Sequence, residues 1–127
     1  MTPSTGSRGR IIGLWVLKAI AGLAFLTFAT FKLTSAPMMV QEFGAIGLGQ
    51  GFRYVTGLIE AVGAILLVIP ATSRFGSPLL LAVSVGALVT QAAILHGDII
   101  HTIVLIAITG FLTWQAWRPV TTAAIAA

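Results

Sequence analysis

The stretch FRYVTGLIEAVGAILLVIPA, residues 52–71, decides the fold. Its twenty residues hold two charges, Arg53 and Glu60, in an otherwise apolar run. Crossing the hydrocarbon of a bilayer takes about 17–25 helical residues, so the length is right for a span. Helical spacing gathers Arg53, Thr56, Gly57, Glu60, Gly63 and Ala64 at i, i+3, i+4, i+7, i+10 and i+11, while Leu58, Ile59, Val62, Ile65 and Leu66 take the opposite face. Small and polar faces turn toward other helices, where backbones approach closely and hydrogen bonds find partners, and apolar faces meet lipid. The run therefore predicts a transmembrane helix inside a bundle.

Three further runs flank it, at residues 11–33, 76–96 and 100–117. Each repeats the pattern. Lys18, Gly22, Phe25, Ala29 and Lys32 form one stripe of the first, Ser84, Ala87 and Gln91 align in the third, and Thr102, Thr109 and Thr113 align in the fourth. The first run is too long for the apolar core of a secretory signal, about 7–15 residues, and reads as a retained helix. The expected fold class is all-α, an integral membrane bundle of four transmembrane helices. Residues 1–10 read as a flexible cytoplasmic tail, 11–118 as the transmembrane domain and 119–127 as a C-terminal tail. Connections 72–77 and 96–98 are tight, which makes the last three spans antiparallel neighbours. The long connection, 34–51, predicts a short amphipathic helix at the membrane interface.

Composition agrees. Hydrophobic residues make up 57% of the chain and charged residues 8%, against roughly 25% charged in soluble domains. The net charge of +4 is scattered singly between apolar runs rather than gathered on a water-facing patch, which argues against nucleic acid as a partner. There is no cysteine, which excludes disulfides and thiolate chemistry. Arg8, Arg10, Arg74 and Arg118 fall on one side of the proposed membrane, and Lys32 and Arg53 on the other. The bias of Lys and Arg places both termini in the cytoplasm, in a multi-pass protein of the plasma (cytoplasmic) membrane. Trp15, Trp114 and Trp117 read as interfacial anchors on that same side.

Glu60 is the sharpest clue to chemistry. It lies about 12 Å into the second span, where a charge costs at least about 2.5–3.5 kcal/mol on insertion scales. It must be protonated, paired or wet. Two readings stand: an acid–base group in a polar intramembrane cavity, or half of a structural ion pair. Arg53 and Lys32 belong to the same end of the bundle and read either as ligands for an anionic or carbonyl group or as side chains snorkelling to the interface. Gln91 joins them as a ligand-binding candidate. His96, Asp98 and His101 cluster at the third turn. They could hold a metal or haem, or simply cap a turn, or His96 could close the cavity above Glu60 as a proton shuttle. The catalytic candidates are thus Glu60 and His96, the ligand-binding candidates Lys32, Arg53 and Gln91, and no metal site is assigned.

These residues carry a family resemblance. Phe31-Lys32-Leu33, Met38-Met39, Phe43, the second-span pattern R-x₃-G-x₂-E-x₂-G-A-x-L-L-x₂-P from Arg53 to Pro70, and Ala92-Ala93 with His96 together resemble the DoxX-like membrane proteins over about residues 12–118. The resemblance implies a polar core at Lys32, Arg53, Glu60 and His96. It also implies membrane subunits of quinone-linked sulfur oxidoreductases or of oxidative-stress complexes, with eukaryotic receptor-assembly chaperones as distant relatives. The architecture is similar to that of vitamin K epoxide reductases, whose cysteine chemistry cannot carry over. The expected function is a redox-associated membrane subunit that binds a quinone-like or other lipophilic ligand in a polar intramembrane pocket. The alternatives are a non-catalytic assembly or chaperone-like protein, and a small transporter or isomerase of a lipophilic substrate. The expected partners are the lipid bilayer, a redox protein that supplies electrons, a lipophilic small molecule and a second copy of the chain. A quinone is the candidate cofactor, ahead of haem.

Overall fold

A computed structural model describes residues 5–118. Five α-helices and one π-helical turn follow one another: α1 Thr5–Leu33, α2 Pro37–Ile46, α3 Gln50–Val68, α4 Ser73–Thr90, the π-helical turn Gln91–Leu95, and α5 Ile100–Trp117. No strand occurs among the described residues. Four helical segments are long and apolar enough to cross a membrane: Arg8–Leu33, Gln50–Val68, Ser73–Leu95 and Ile100–Trp117. The fold is the expected four-span bundle. It differs at the start, where α1 already begins at Thr5, so residues 5–10 extend the first helix rather than forming a tail. The rest of the expected tails, residues 1–4 and 119–127, lies outside the described residues.

α1 lies against α3, α3 against α4 and α4 against α5, and α1 meets α5 more lightly. An even number of spans leaves both described chain ends at one end of the bundle, the Trp117 end. The opposite Leu33 end carries α2 and the start of α3, the π-turn and the start of α5. The stripes read from the sequence are the packed faces. In α3, Arg53, Gly57, Glu60, Gly63, Ala64 and Leu67 are buried, while Leu58, Val62 and Ile65 point outward. Gly76 lets α4 touch α3 backbone to backbone: a Cβ there would sit 2.4 Å from the Leu67 nitrogen.

Helix ends follow from local chemistry. Pro37 opens α2, where a missing N–H loses nothing. Gly47 closes it in the left-handed region at φ 83°, donating its N–H to the Phe43 carbonyl. α2 buries Met39 and Phe43 against the bundle and is the short amphipathic helix expected in the long connection. Pro78, inside α4, has no N–H for the Arg74 carbonyl four residues back. The Trp117 indole fills that gap, donating to the Arg74 carbonyl at 2.6 Å, while the Arg74 guanidinium lies 3.9 Å from the centre of the Trp117 ring. The end of α5 is thereby pinned to the start of α4.

One apolar layer seals the half of the bundle nearer the Trp117 end. Phe25 of α1, Ala64 and Leu67 of α3, Leu80 of α4 and Leu112 of α5 are all at most 1% exposed and form one cluster with Ala21. Every span contributes to it.

Candidate polar cavity between the spans

Above that layer, toward the Leu33 end, the helices part around a cavity of about 650 Å³. Phe25 and Phe28 of α1 belong to its wall, and Met38, Met39, Phe43 and Ile46 of α2 form a roof. The remaining wall comes from α3, α4, the π-turn and the first turns of α5. The lining is largely apolar and aromatic, with a few polar groups placed around it, the usual composition of a small-molecule site.

The strongest polar feature is an ion pair. Lys32 Nζ lies 2.7 Å from Glu60 Oε1, and the Glu60 side chain is 3% exposed. At that distance the pair is a close, charge-assisted contact, and the carboxylate has further lone pairs with which to accept from a guest. Both residues line the cavity. Gly57, one turn from Glu60, allows the contact: a Cβ there would meet Lys32 Cβ at 2.9 Å and the Leu33 side chain at 3.2 Å.

Arg53 shares Glu60's face but does not line the cavity. It is 3% exposed and its hydrogen bonds go to the scaffold. One guanidinium nitrogen donates to the Lys32 carbonyl, in the last turn of α1 where carbonyls lack helical partners. Its Nε donates to Gln50 Oε1 at 2.8 Å, and Gln50 Nε2 donates to the Val40 carbonyl of α2 at 3.1 Å. The Arg53 guanidinium also lies 4.2 Å from the Tyr54 ring centre. Arg53 thus ties the end of α1 and the roof helix to α3.

Gln91 lines the cavity from the π-turn that continues α4, across the bundle from α1. His96 does not line it. It caps the π-turn in the left-handed region at φ 50° and is exposed. His101 lines the cavity instead. Asp98 Oδ1 accepts the Ile100 N–H and starts α5, and Asp98 Oδ2 lies 3.8 Å from His101 Nδ1. The cluster of His96, Asp98 and His101 is therefore divided, and no group of three His, Asp or Glu side chains could hold a metal ion among the described residues.

The hydroxyls of the cavity share one property. Thr56, Ser84, Thr90 and Thr102 each donate to a carbonyl of the local chain, of Phe52, Leu80, Gly86 and Ile99 respectively. Their hydrogens are engaged, so toward a ligand they can only accept. Side-chain donors for a guest come from Lys32, Gln91 and His101. Sequence reasoning weighed His101 only as a metal or haem ligand or a residue of the turn, not as part of the cavity, and it missed the roof residues of α2 and Glu42 beside them as lining. The signal for His101 was Asp98, an acceptor two residues before a helix start that fixes the phase of the first turn of α5.

Residues 16–116 match the DoxX-like family. A Bacillus subtilis (strain 168) protein named "Putative oxidoreductase CatD" is 30% identical over 79 residues, covering 62% of this chain. The match spans 59% of that relative's own length. No solved structure matches the chain.

Proposed function

The chain belongs to the DoxX-like family, and on that premise we propose that it is a redox-associated membrane subunit whose polar cavity binds a lipophilic ligand with a carbonyl-bearing head, a quinone in the first instance. The observation that carries this reading is the cavity itself: about 650 Å³, walled by Phe25, Phe28, Phe43 and Phe52, with the Lys32–Glu60 pair on one side and Gln91 on another. Its volume falls within the roughly 300–1,000 Å³ of small-molecule sites. The donors fit the guest. Carbonyl oxygens need N–H groups, and Lys32 and Gln91 supply them from different helices, while the aromatic side chains offer flat apolar surface to a ring.

In this reading Lys32 orients one carbonyl oxygen, and Gln91 holds the other end of the head. Glu60 balances the charge of Lys32 and, once that contact loosens, takes or gives a proton at its carboxylate. Arg53 keeps Lys32 and α2 in place without touching the guest. A bound quinone supplies two-electron redox chemistry, and its electrons come from a partner protein. The relative named as an oxidoreductase supports the redox assignment. We place the protein in the cytoplasmic membrane with the Trp117 end inside, because Arg8, Arg10, Arg74 and Arg118 fall at that end.

The test is gentle purification in native lipid, followed by a visible spectrum and mass spectrometry of co-purified small molecules, for wild type and Glu60→Gln together. A quinone present in the wild type and depleted in the variant is the expected result. Preparations free of lipophilic ligand in both would overturn the reading and favour a role in assembly.

A further inference from the structure

We propose that the cavity is open to water from the Leu33 end alone, and that His101, beside Asp98, is the group through which the Lys32–Glu60 pair exchanges protons with that solution. The inference rests on the cavity being the working site, but its geometry stands independently of which ligand binds.

Beyond Glu60, toward the Trp117 end, the same face of α3 continues with Ala64 and Leu67, about 6 and 10 Å further along the axis. Both are fully buried. Phe25, Leu80 and Leu112 close the same level from the other three spans. The closure is tight at α4, where Leu80 Cδ2 would lie 2.7 Å from a Cβ on Gly63. Past this layer on α4, Ser77 and Ser73 Oγ are buried without hydrogen-bond partners and are cut off from Glu60 by Leu80 and Leu67, while on α5 the Thr109 and Thr113 hydroxyls beside Leu112 donate to the Leu105 and Thr109 carbonyls of their own helix. A proton cannot cross such a layer without a chain of polar groups or water, and none of its side chains offers one.

The other direction is different. From Glu60 the wall carries Lys32, Thr56, Thr90, Gln91 and Thr102, and reaches two titratable groups near the surface, Glu42 of α2 and His101 of α5. Glu42 is half-buried, and the His101 side chain is 47% exposed. His101 therefore belongs both to the cavity wall and to the solution. Asp98 Oδ2 lies 3.8 Å from its Nδ1, beyond hydrogen-bond length but close enough for the two charges to attract when the ring is protonated. The charged groups on the elements around it are Asp98 just before its own helix, Glu42 from α2, Lys32 from α1 and Glu60 from α3, while the π-turn and α4 present the uncharged Gln91 and Thr90. A proton taken from solution at His101 Nε2 passes through cavity water to the Glu60 carboxylate. Only N–H and O–H bonds form and break.

The natural absence of cysteine makes the test clean. The full chain is reconstituted in vesicles carrying single substitutions, and a membrane-impermeant methanethiosulfonate is added to one side at a time. Leu48→Cys in the α2–α3 connection reports the Leu33 end, and Ala71→Cys in the α3–α4 turn reports the Trp117 end. Thr56→Cys and Ser84→Cys, small changes that preserve the fold, are expected to react from the Leu48 side and not from the Ala71 side. Ala64→Cys is expected to react from neither. Reaction of Thr56→Cys or Ser84→Cys from the Ala71 side, or from neither side, overturns the one-sided access. The role of His101 is read separately by infrared spectroscopy after a pH jump, following the carboxyl band that Glu60→Gln removes. His101→Gln is expected to slow its response by about a hundredfold, the lower range of what a positioned acid–base group contributes. An unchanged rate, or a Glu60 band that does not respond at all, overturns the relay. Ligand-free preparations with one-sided labelling would refute the proposed function while leaving the access route intact.

Discussion

Removing Lys32 alone is expected to harm the protein more than removing Lys32 and Glu60 together. In Lys32→Met the alkyl stem is retained and the ammonium is lost. Glu60, with its side chain 3% exposed, then has no cation within reach, because the guanidinium of Arg53 is engaged with the Lys32 carbonyl and Gln50. Breaking a buried pair in this way costs about 3–5 kcal/mol. The Lys32 side chain is 13% exposed and lines a cavity, so the low end applies, about 3 kcal/mol, or roughly a hundredfold in the unfolding equilibrium. In Lys32→Met/Glu60→Leu no charge is stranded, and stability is expected within about 1 kcal/mol of the wild type or above it, as for other buried pairs replaced by apolar groups. The assay is reversible unfolding in mixed micelles, run as a double-mutant cycle with Glu60→Leu as the second single variant. A coupling energy near zero would refute the pairing, since it would mean that Lys32 and Glu60 do not sense one another in the folded bundle.

Other expectations follow from the same contacts. Arg53→Gln removes the guanidinium from both the Lys32 carbonyl and Gln50, so amide exchange across residues 37–46 should rise while the spans stay protected, measured by hydrogen exchange in lipid nanodiscs. Gly76→Ala puts a methyl group against the Leu67 nitrogen and should destabilise by about 1–3 kcal/mol, the range for overpacking, visible as a lower thermal midpoint in detergent. Trp117→Phe keeps a ring under Arg74 but loses the bond to the Arg74 carbonyl, for about 1 kcal/mol in the same unfolding assay. Reporter enzymes fused after residue 118 should be active only where a cytoplasmic location activates them; the opposite pattern would reverse the proposed orientation.

The spans and their buried faces were legible because both depend on a simple period. Arg53, Gly57, Glu60, Gly63 and Ala64 are buried together since they recur every three or four residues, and no tertiary detail is needed to see it. Thr102 and Thr109 on α5 were found the same way. Helix ends were less legible. His96 lies five residues after Gln91, about 140° round an α-helix, so the stripe of Ser84, Ala87 and Gln91 does not lead to it; its place at the end of the span suggested it, and that place does not say which way the side chain turns. Residues 91–95 form a π-turn, whose wider winding shifts the phase, and His96 caps it on the outside. Nothing in Gln-Ala-Ala-Ile-Leu announces that change. Arg53 shows a different limit: its face was clear, but whether a buried guanidinium meets a guest or the backbone depends on where α1 ends in space. The roof is a third case. α2 was expected as an interfacial helix, and its amphipathic face does bury Met39 and Phe43, but a ten-residue pattern cannot say what that face covers.

Stability does not explain why the bundle keeps Lys32 and Glu60. Buried pairs roughly break even against apolar residues of similar size once desolvation is counted, and in a membrane the apolar alternative faces no penalty from water. Leu80 and Ala64 demonstrate as much a turn away, where complete burial is reached without a single polar atom in the side chains. The pair instead lies on a cavity wall that the helices could have closed, and its carboxylate oxygen retains capacity to accept another bond. Around it the hydroxyls of Thr56, Ser84, Thr90 and Thr102 turn their hydrogens back onto the chain's own carbonyls. That leaves Lys32 and Gln91, both half-buried, as the side-chain donors on the inner wall, with His101 at the mouth. On the proposed reading, two donors on separate helices, an acid beside one of them and aromatic walls between suit a guest that accepts hydrogen bonds at two points of a flat apolar head. The same arrangement makes poor sense as packing, and so Glu60→Gln, which alters charge without altering volume, should separate the two: it should deplete the guest while the bundle remains folded.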